Sequence, residues 1–296
     1  LDYGSPESLA ILKERGPQLA AVLVEPVQSR RPELQPVEFL RKLRAITEET
    51  GTALVFDEVV SGFRAHQGGT QAMFGIRADL ATYGKVVGGG LPIGLVAGAG
   101  KYMDALDGGQ WSYGDESFPE VGVTFFAGTF VRHPLALAAA RAVLERLMQE
   151  GPDLQRALNI RTTELVDELN AHAEAVGAPL RVTTFASWFC FNFPSDVPYA
   201  SLFYAYMRDK GIHVWEGRAG FLTTAHTEQD IARVVAAFKE SLAEMQAADF
   251  LPGRGEPPVP GARRGRDAGG RAAWFVPDPA RSDKFLQVEE AAATGD

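Results

Sequence analysis

Lys85 stands between a short apolar run and three glycines, in Thr82-Tyr83-Gly84-Lys85-Val86-Val87-Gly88-Gly89-Gly90-Leu91-Pro92-Ile93-Gly94. Lysine is costly to bury, and its ordinary place is a solvated face. Val86, Val87, Leu91 and Ile93 around it point instead to an amine partly withdrawn from water. Desolvation lowers an ammonium pKa and frees the lone pair for attack. Glycine carries no Cβ, so a flat ligand can approach its backbone closely. The chemistry on offer is capture of a carbonyl cofactor as a Schiff base.

Acids stand upstream at the ends of apolar runs. Thr52-Ala53-Leu54-Val55-Phe56-Asp57-Glu58-Val59 is one such run, and Leu19-Ala20-Ala21-Val22-Leu23-Val24-Glu25-Pro26 is another. Both suit buried parallel strands. Between them Pro36 opens a helix with Phe39, Leu40, Leu43 and Ile46 on one face, closed by Gly51. Strand, helix and strand in this order form a βαβ unit with a right-handed crossover. Ligands of such sheets sit outside the carboxyl ends of the strands, which is where Asp57 falls. Taken without the lysine, the simpler reading of Asp57 is a carboxylate capping the next turn. Ala78 to Tyr83 reads as a third short strand delivering Lys85, so the two residues would leave adjacent strand exits. Farther on, Thr124-Phe125-Phe126-Ala127-Gly128-Thr129-Phe130 sets a hydroxyl beside a glycine. Spacing there fits a phosphate donor and a plain turn equally.

The 296 residues are 46% hydrophobic and carry a formal net charge of -9. That length suits one large domain or two small ones with a real core. The acidic balance argues against nucleic-acid and membrane-surface roles, which favour basic patches. No apolar run is long enough to span a bilayer. Leu1 to Gly16 is polar and amphipathic, without a secretory-signal pattern. The single cysteine, Cys190, lies in the alternating run Ser187-Trp188-Phe189-Cys190-Phe191-Asn192-Phe193 and reads as a core or sheet residue. A reducing cytoplasm is the expected compartment.

Ser8 to Lys13 is helix-like, ended by Gly16-Pro17, and Gly108 to Val123 reads as an ordered loop. Helical patterns run from Pro134 through Met148 and from Asp153 to about Val176. Beyond them, Leu180 to Phe193, Ile212 to Val214 and Phe221 to Thr224 read as strands. Tyr199 to Asp209 and Thr227 to Met245 read as helices, the latter capped by Thr227. This second region is an α+β layer. From Phe250 the chain turns rich in Pro, Gly and Arg and reads as a flexible linker, with Trp274, Phe275 and Val276 apolar enough to dock.

Four motifs occur in one order: Leu23-Val24-Glu25-Pro26-Val27; Phe56-Asp57-Glu58-Val59 with Ser61-Gly62-Phe63-Arg64; Gly84-Lys85 with Gly88-Gly89-Gly90-Leu91-Pro92-Ile93-Gly94; and Gly128-Thr129-Phe130. Together they resemble the class III aminotransferases, closest to glutamate-1-semialdehyde aminomutases. The resemblance covers roughly residues 1–247. It implies an α/β protein of the pyridoxal-phosphate (PLP) fold type I, with a mostly parallel sheet. Residues 1–150 would be the C-terminal part of the large PLP-binding domain, 151–249 a smaller α+β domain, and 250–296 an interdomain tail. The family's phosphate loop would lie upstream of Leu1, so the chain reads as the C-terminal part of a longer catalytic unit.

The resemblance also implies roles. Lys85 would hold the cofactor aldehyde and then shuttle a proton between the substrate carbon and C4′. Asp57 would keep the pyridine nitrogen protonated, and Val59 would pack on the ring face. Thr129 would reach the cofactor phosphate from the other subunit of a homodimer. Two stretches depart from the aminomutase pattern: Ser29-Arg30-Arg31, and Trp215-Glu216-Gly217-Arg218. With the tail, these resemble aminotransferase domains of hybrid polyketide–nonribosomal peptide synthetases of the iturin and mycosubtilin type. The implied partners are a small amino donor and an acyl carrier protein bearing a phosphopantetheine-tethered β-ketoacyl thioester. Arg218 and Arg30 would then contact a carboxylate or the phosphopantetheine, since arginine suits planar anions; the alternative for each is a surface or structural role. The competing functions are an aminomutase on a free substrate and an inactive scaffold.

Overall fold

Ser5 opens the first helix, α1 (Pro6–Arg15): its hydroxyl accepts the Ser8 N–H at 3.1 Å, and Pro6 stands at the start, where no backbone donor is needed. The computed structural model describes residues 1–252, 259, 262–267, 272–279 and 281–288. Strand β1 (Ala21–Val24) leads to α2 (Val37–Thr50), which Gly51 ends in the left-handed region. Next come β2 (Ala53–Asp57), the short helices α3 (Gly62–Ala65) and α4 (Gly69–Phe74), and β3 (Leu80–Gly84). A 3-10 turn over Lys85–Gly88 separates β3 from β4 (Gly94–Gly98), followed by α5 (Gly100–Asp107).

These strands form one sheet in the order β1-β2-β3-β4. The first three are parallel and β4 is antiparallel to β3, so the sheet is mostly parallel, as the motifs imply. Leu40 and Leu43 of α2 pack on Leu54 and Phe56 of β2, which closes the βαβ unit. Four short elements, α3, α4, β4 and α5, have no counterpart in the sequence-based expectations.

Two long helices follow the loop after α5: α6 (Pro134–Glu150) and α7 (Asp153–Ala175). A second, antiparallel sheet joins β5 (Arg181–Phe185), β6 (Trp188–Asn192) and β7 (Gly220–Phe221) in that order. Helices α8 (Leu202–Asp209) and α9 (Glu228–Ala247) cover it. Leu169, Phe203, Phe238, Leu242 and Met245 are fully buried in the core they share. Ile212 to Val214, expected as a strand, has no strand pairing; Val214 is buried by side-chain packing alone. The expected strand Phe221 to Thr224 shrinks to β7.

Where composition reads as a flexible linker, residues beyond Ala262 pair as an antiparallel sheet of β8 (Arg263–Arg266), β9 (Ala272–Asp278) and β10 (Arg281–Val288). Trp274 of β9 is buried. Among the described residues no helix is long and apolar enough to cross a membrane.

Candidate active site

Asp57 is the last residue of β2 and Lys85 directly follows the last residue of β3. Asp57 stands level with Thr82 in the parallel register, so both residues leave the same edge of the sheet at adjacent strand ends. Asp57 Oδ1 accepts the Val59 N–H at 3.0 Å and the Thr82 hydroxyl at 3.3 Å. The first bond caps the following turn, and the second ties the carboxylate to β3. Oδ2 has no hydrogen-bond partner among the described residues, so one face of the anion is left for a donor.

The other acids at strand ends are committed to structure. Glu58 is buried and accepts from the Ser61 hydroxyl and from the N–H groups of Thr70 and Gln71, at 3.2, 2.7 and 3.1 Å. It fixes the first turn of α4. Glu25 accepts the Ser29 N–H at 3.2 Å and holds the turn after β1.

Lys85 is exposed, which corrects the expectation of a partly desolvated amine. The 3-10 turn carries Val87 into the core, where it is fully buried, and leaves the lysine outside. Lys85 has φ 49°, in the left-handed region. For a residue with a Cβ this costs about 1–2 kcal/mol, and such strain gathers at functional positions. Gly84 makes room for the turn: a Cβ there would lie 3.1 Å from the Ile93 carbonyl oxygen and 3.4 Å from Val59 Cγ1.

A pocket of about 960 Å³ opens at this edge, and Lys85, Val59 and Thr129 all line it. Most of its wall is apolar, from Leu91, Ile93, Leu95, Met103, Leu106 and Phe126 among others, and no carboxylate among the described residues lines it. Asp57 lies outside the lining, held against Val59 and Thr82. Lys85 and Thr129 meet here within one chain, whereas the family resemblance has the threonine reach across from a partner.

Arg132 and His133 also line the pocket, although nothing in their residue types singled them out. His133 caps α6 by accepting the Ala136 N–H at 3.4 Å, and Arg132 has φ 58°. Pro134 was the available signal, because proline at a helix start fixes the residues before it at the helix mouth.

Arg218 and Arg30 are not brought into the pocket. The Arg218 guanidinium lies over the Trp215 ring at 5.1 Å, and Arg30 is exposed in the turn after β1. Ser29 beside Arg30 accepts from Cys190 Sγ on β6 at 3.7 Å, and the Arg218 loop leads into β7, which pairs with β6. The two arginine loops therefore flank the same strand.

Residues 5–219 match the family described as Aminotransferase class-III. Over 261 residues the chain is 34% identical to the glutamate-1-semialdehyde 2,1-aminomutase of Laribacter hongkongensis (strain HLHK9), covering 83% of this chain and 58% of that protein. The corresponding aminomutase of Nitratidesulfovibrio vulgaris is 37% identical, covering 74% and 52%. The chain thus spans little more than half the length of the curated relatives it matches. Among solved structures, a β-phenylalanine aminotransferase from Variovorax paradoxus superposes with a TM-score of 0.74 at 28% identity, covering 86% of this chain and 59% of that one. An omega-transaminase from Sphaerobacter thermophilus gives 0.73 at 25%, covering 83% and 57%. A transaminase with PLP bound gives 0.73 at 26%, covering 84% and 57%.

Proposed function

The chain belongs to the class III aminotransferases, which use pyridoxal phosphate, and from that premise we propose that it is part of an enzyme moving an amino group from an amino-acid donor to a β-ketoacyl thioester on an acyl carrier protein. The observation that carries this reading is the apolar wall of the Lys85 pocket, which suits an acyl chain better than a small charged semialdehyde. The residues at the sheet edge fit the cofactor. The pocket has ample room for a substituted pyridine, and Asp57, outside its lining but at the adjacent strand end, keeps Oδ2 free for a donor.

Bound there, pyridoxal phosphate supplies an aldehyde that captures amines and a protonated ring that takes up the electron pair freed at the substrate carbon. Lys85 Nζ would be the amine that holds the aldehyde and would serve as the base that moves the proton from the substrate carbon. The Asp57 carboxylate would keep the ring nitrogen protonated, since an opposite charge favours the charged form. Val59 would pack on the ring face, and the Thr129 hydroxyl, which lines the pocket of its own chain, would donate to the phosphate held by the partner of a homodimer, as the family resemblance implies. Arg218 and Arg30 pair with the carboxylate or the phosphopantetheine phosphate of the incoming substrate. In the division proposed here, residues 1–150 carry the cofactor, 151–249 form the smaller domain, and 250–296 lead to the next unit.

A second reading, an aminomutase on a free semialdehyde, is favoured by the names of the relatives from Laribacter and Nitratidesulfovibrio. The test has two parts. The protein is incubated with pyridoxal phosphate, reduced with borohydride and mapped by mass spectrometry. The label is expected on Lys85 and lost in Lys85→Ala; no label at Lys85 overturns the catalytic reading. Amino transfer to a β-ketoacyl carrier thioester is then compared with turnover of free glutamate semialdehyde. Turnover of the free semialdehyde alone overturns the carrier-dependent reading in favour of the aminomutase.

A further inference from the structure

A second cavity, of about 510 Å³, lies between the α6–α7 hairpin and the loops that precede β6 and follow β7. The 3-10 turn after β3 separates it from the first: Lys85 lines one pocket and Val86 the other. Val143, Leu147, Leu154 and Leu158 give it an apolar wall.

Two polar groups on that wall are incompletely partnered. The Arg64 guanidinium donates through Nη1 to the Ser187 hydroxyl and to the Leu222 carbonyl, both at 3.0 Å, and lies over the Phe221 ring at 4.6 Å. No carboxylate among the described residues pairs with it. Burial alone lowers its pKa to about 10, as expected of a cation that lacks a compensating anion. Gln155 is 1% exposed, and its Nε2 donates to the Phe63 carbonyl at 3.1 Å. That bond assigns Oε1 as the acceptor, and Oε1 has no donor among the described residues. Buried polar groups without partners are rare enough to require an explanation. Phe63 directly precedes Arg64, and the side chains of Arg64 and Gln155 both line the cavity.

We propose that this cavity binds an aliphatic α-amino acid at a site separate from the Lys85 pocket, with the ligand carboxylate on Arg64, its ammonium donating to Gln155 Oε1 and its side chain on the leucine wall. A guanidinium matches a carboxylate in a planar, two-bond pairing. The vacant acceptor calls for a ligand with a donor beside its acid group, which a plain fatty acid lacks. Arg146, the other guanidinium of the wall, is already paired with Glu150, so a single carboxylate is accommodated.

Calorimetric titration with L-leucine tests the proposal. Saturable binding of one leucine per chain is expected. 3-Methylbutylamine, which lacks the acid, and 4-methylpentanoate, which lacks the amine, should each bind at least tenfold more weakly. Lys85→Ala should bind leucine as the parent does, and Leu158→Trp, which fills the cavity, should abolish binding. In Gln155→Leu the preference for leucine over 4-methylpentanoate should fall close to one, which a merely structural glutamine would not cause. The proposal is overturned if leucine does not saturate, if the amine binds as well as leucine, or if Lys85→Ala loses binding while Leu158→Trp keeps it.

Discussion

Asp57 takes the capping role that its sequence position left open and keeps one carboxylate oxygen out of it. Oδ1 caps the turn through Val59 and reaches Thr82, while Oδ2 remains unpartnered. Asparagine at this position keeps an oxygen for the cap and removes only the charge. Asp57→Asn is therefore expected to change folding stability by less than about 1 kcal/mol, the range of a substitution that keeps its contacts. Transamination should fall by about 10²-fold or more, the usual loss when a preorganised electrostatic partner is removed. A thermal melt and a steady-state rate measured on one preparation check both halves. Cys190 gives a second prediction. Burial, with the charge of Glu33, pushes its thiol up to about 11, so little thiolate exists at pH 8. Native chain should react with iodoacetamide more slowly than unfolded chain by a factor on the order of 10², following the thiolate fraction. The sheet position of this cysteine was readable from its alternating neighbours. The place of Lys85 at the exit of β3 was readable too, but its exposure was not: apolar residue types do not reveal which way a 3-10 turn faces.

At the scale of elements, Asp79 locks the parallel sheet to α2. Its Oδ2 accepts the Leu54 N–H and an N–H of Arg44, both at 2.8 Å. Burial raises its pKa, but the Leu54 and Arg44 hydrogen bonds and the Arg44 charge outweigh that and hold the carboxyl below its ordinary value. As pH falls, the unfolded chain takes up this proton before the folded one does. The resulting stability is fully present above the unfolded pKa, near pH 4, and is lost as pH drops through the lowered folded value. Asp79→Asn should cost about 2 kcal/mol at pH 7, the scale of a charge-assisted hydrogen bond, and should flatten the acid limb of the stability curve. Urea denaturation from pH 7 down to pH 3 measures both. The elements that Asp79 joins were legible, because β2 is an unbroken apolar run and α2 carries a clear apolar face. Strand β4 was not: Gly94 and Gly98 bound it and leave only Leu95, Val96 and Ala97 between them as a strand signal. Ile212 to Val214 failed in the opposite direction, since β-branched residues packed there without a partner strand, and pairing is decided by tertiary context. The tail strands hid in a composition of Pro, Gly and Arg that ordinarily signals a linker.

The whole molecule has one hydrophobic cluster under the parallel sheet and another under α7–α9, and a small third cluster bridges them. The bridge sets Val27 and Ala65 from the parallel-sheet side against Phe185 and Trp188 from the second sheet. Trp188 is fully buried, and its ring meets Phe185 edge-on at 5.0 Å. Arg64 and Asn159 cross nearby, Asn159 donating to the Ala65 carbonyl at 3.1 Å. If this bridge transmits stability between the two halves, removing its largest side chain should cost a full aromatic cavity, about 3–5 kcal/mol for Trp188→Ala. It should also split a single denaturation transition into two as the halves lose their coupling. Trp188→Phe separates packing from polarity. The indole Nε1 is buried without an acceptor among the described residues, a defect of about 1–3 kcal/mol that phenylalanine removes. Phenylalanine also gives up part of the ring, a loss of similar size and opposite sign. Trp188→Phe is therefore expected to unfold in one transition within about 1 kcal/mol of the parent, the two terms offsetting. Denaturation followed by far-UV circular dichroism and by hydrogen exchange in α2 and α9 distinguishes the outcomes. A single transition in Trp188→Ala, with both helices exchanging together, would mean that the hydrogen bonds of Arg64 and Asn159 hold the halves together without the aromatic bridge.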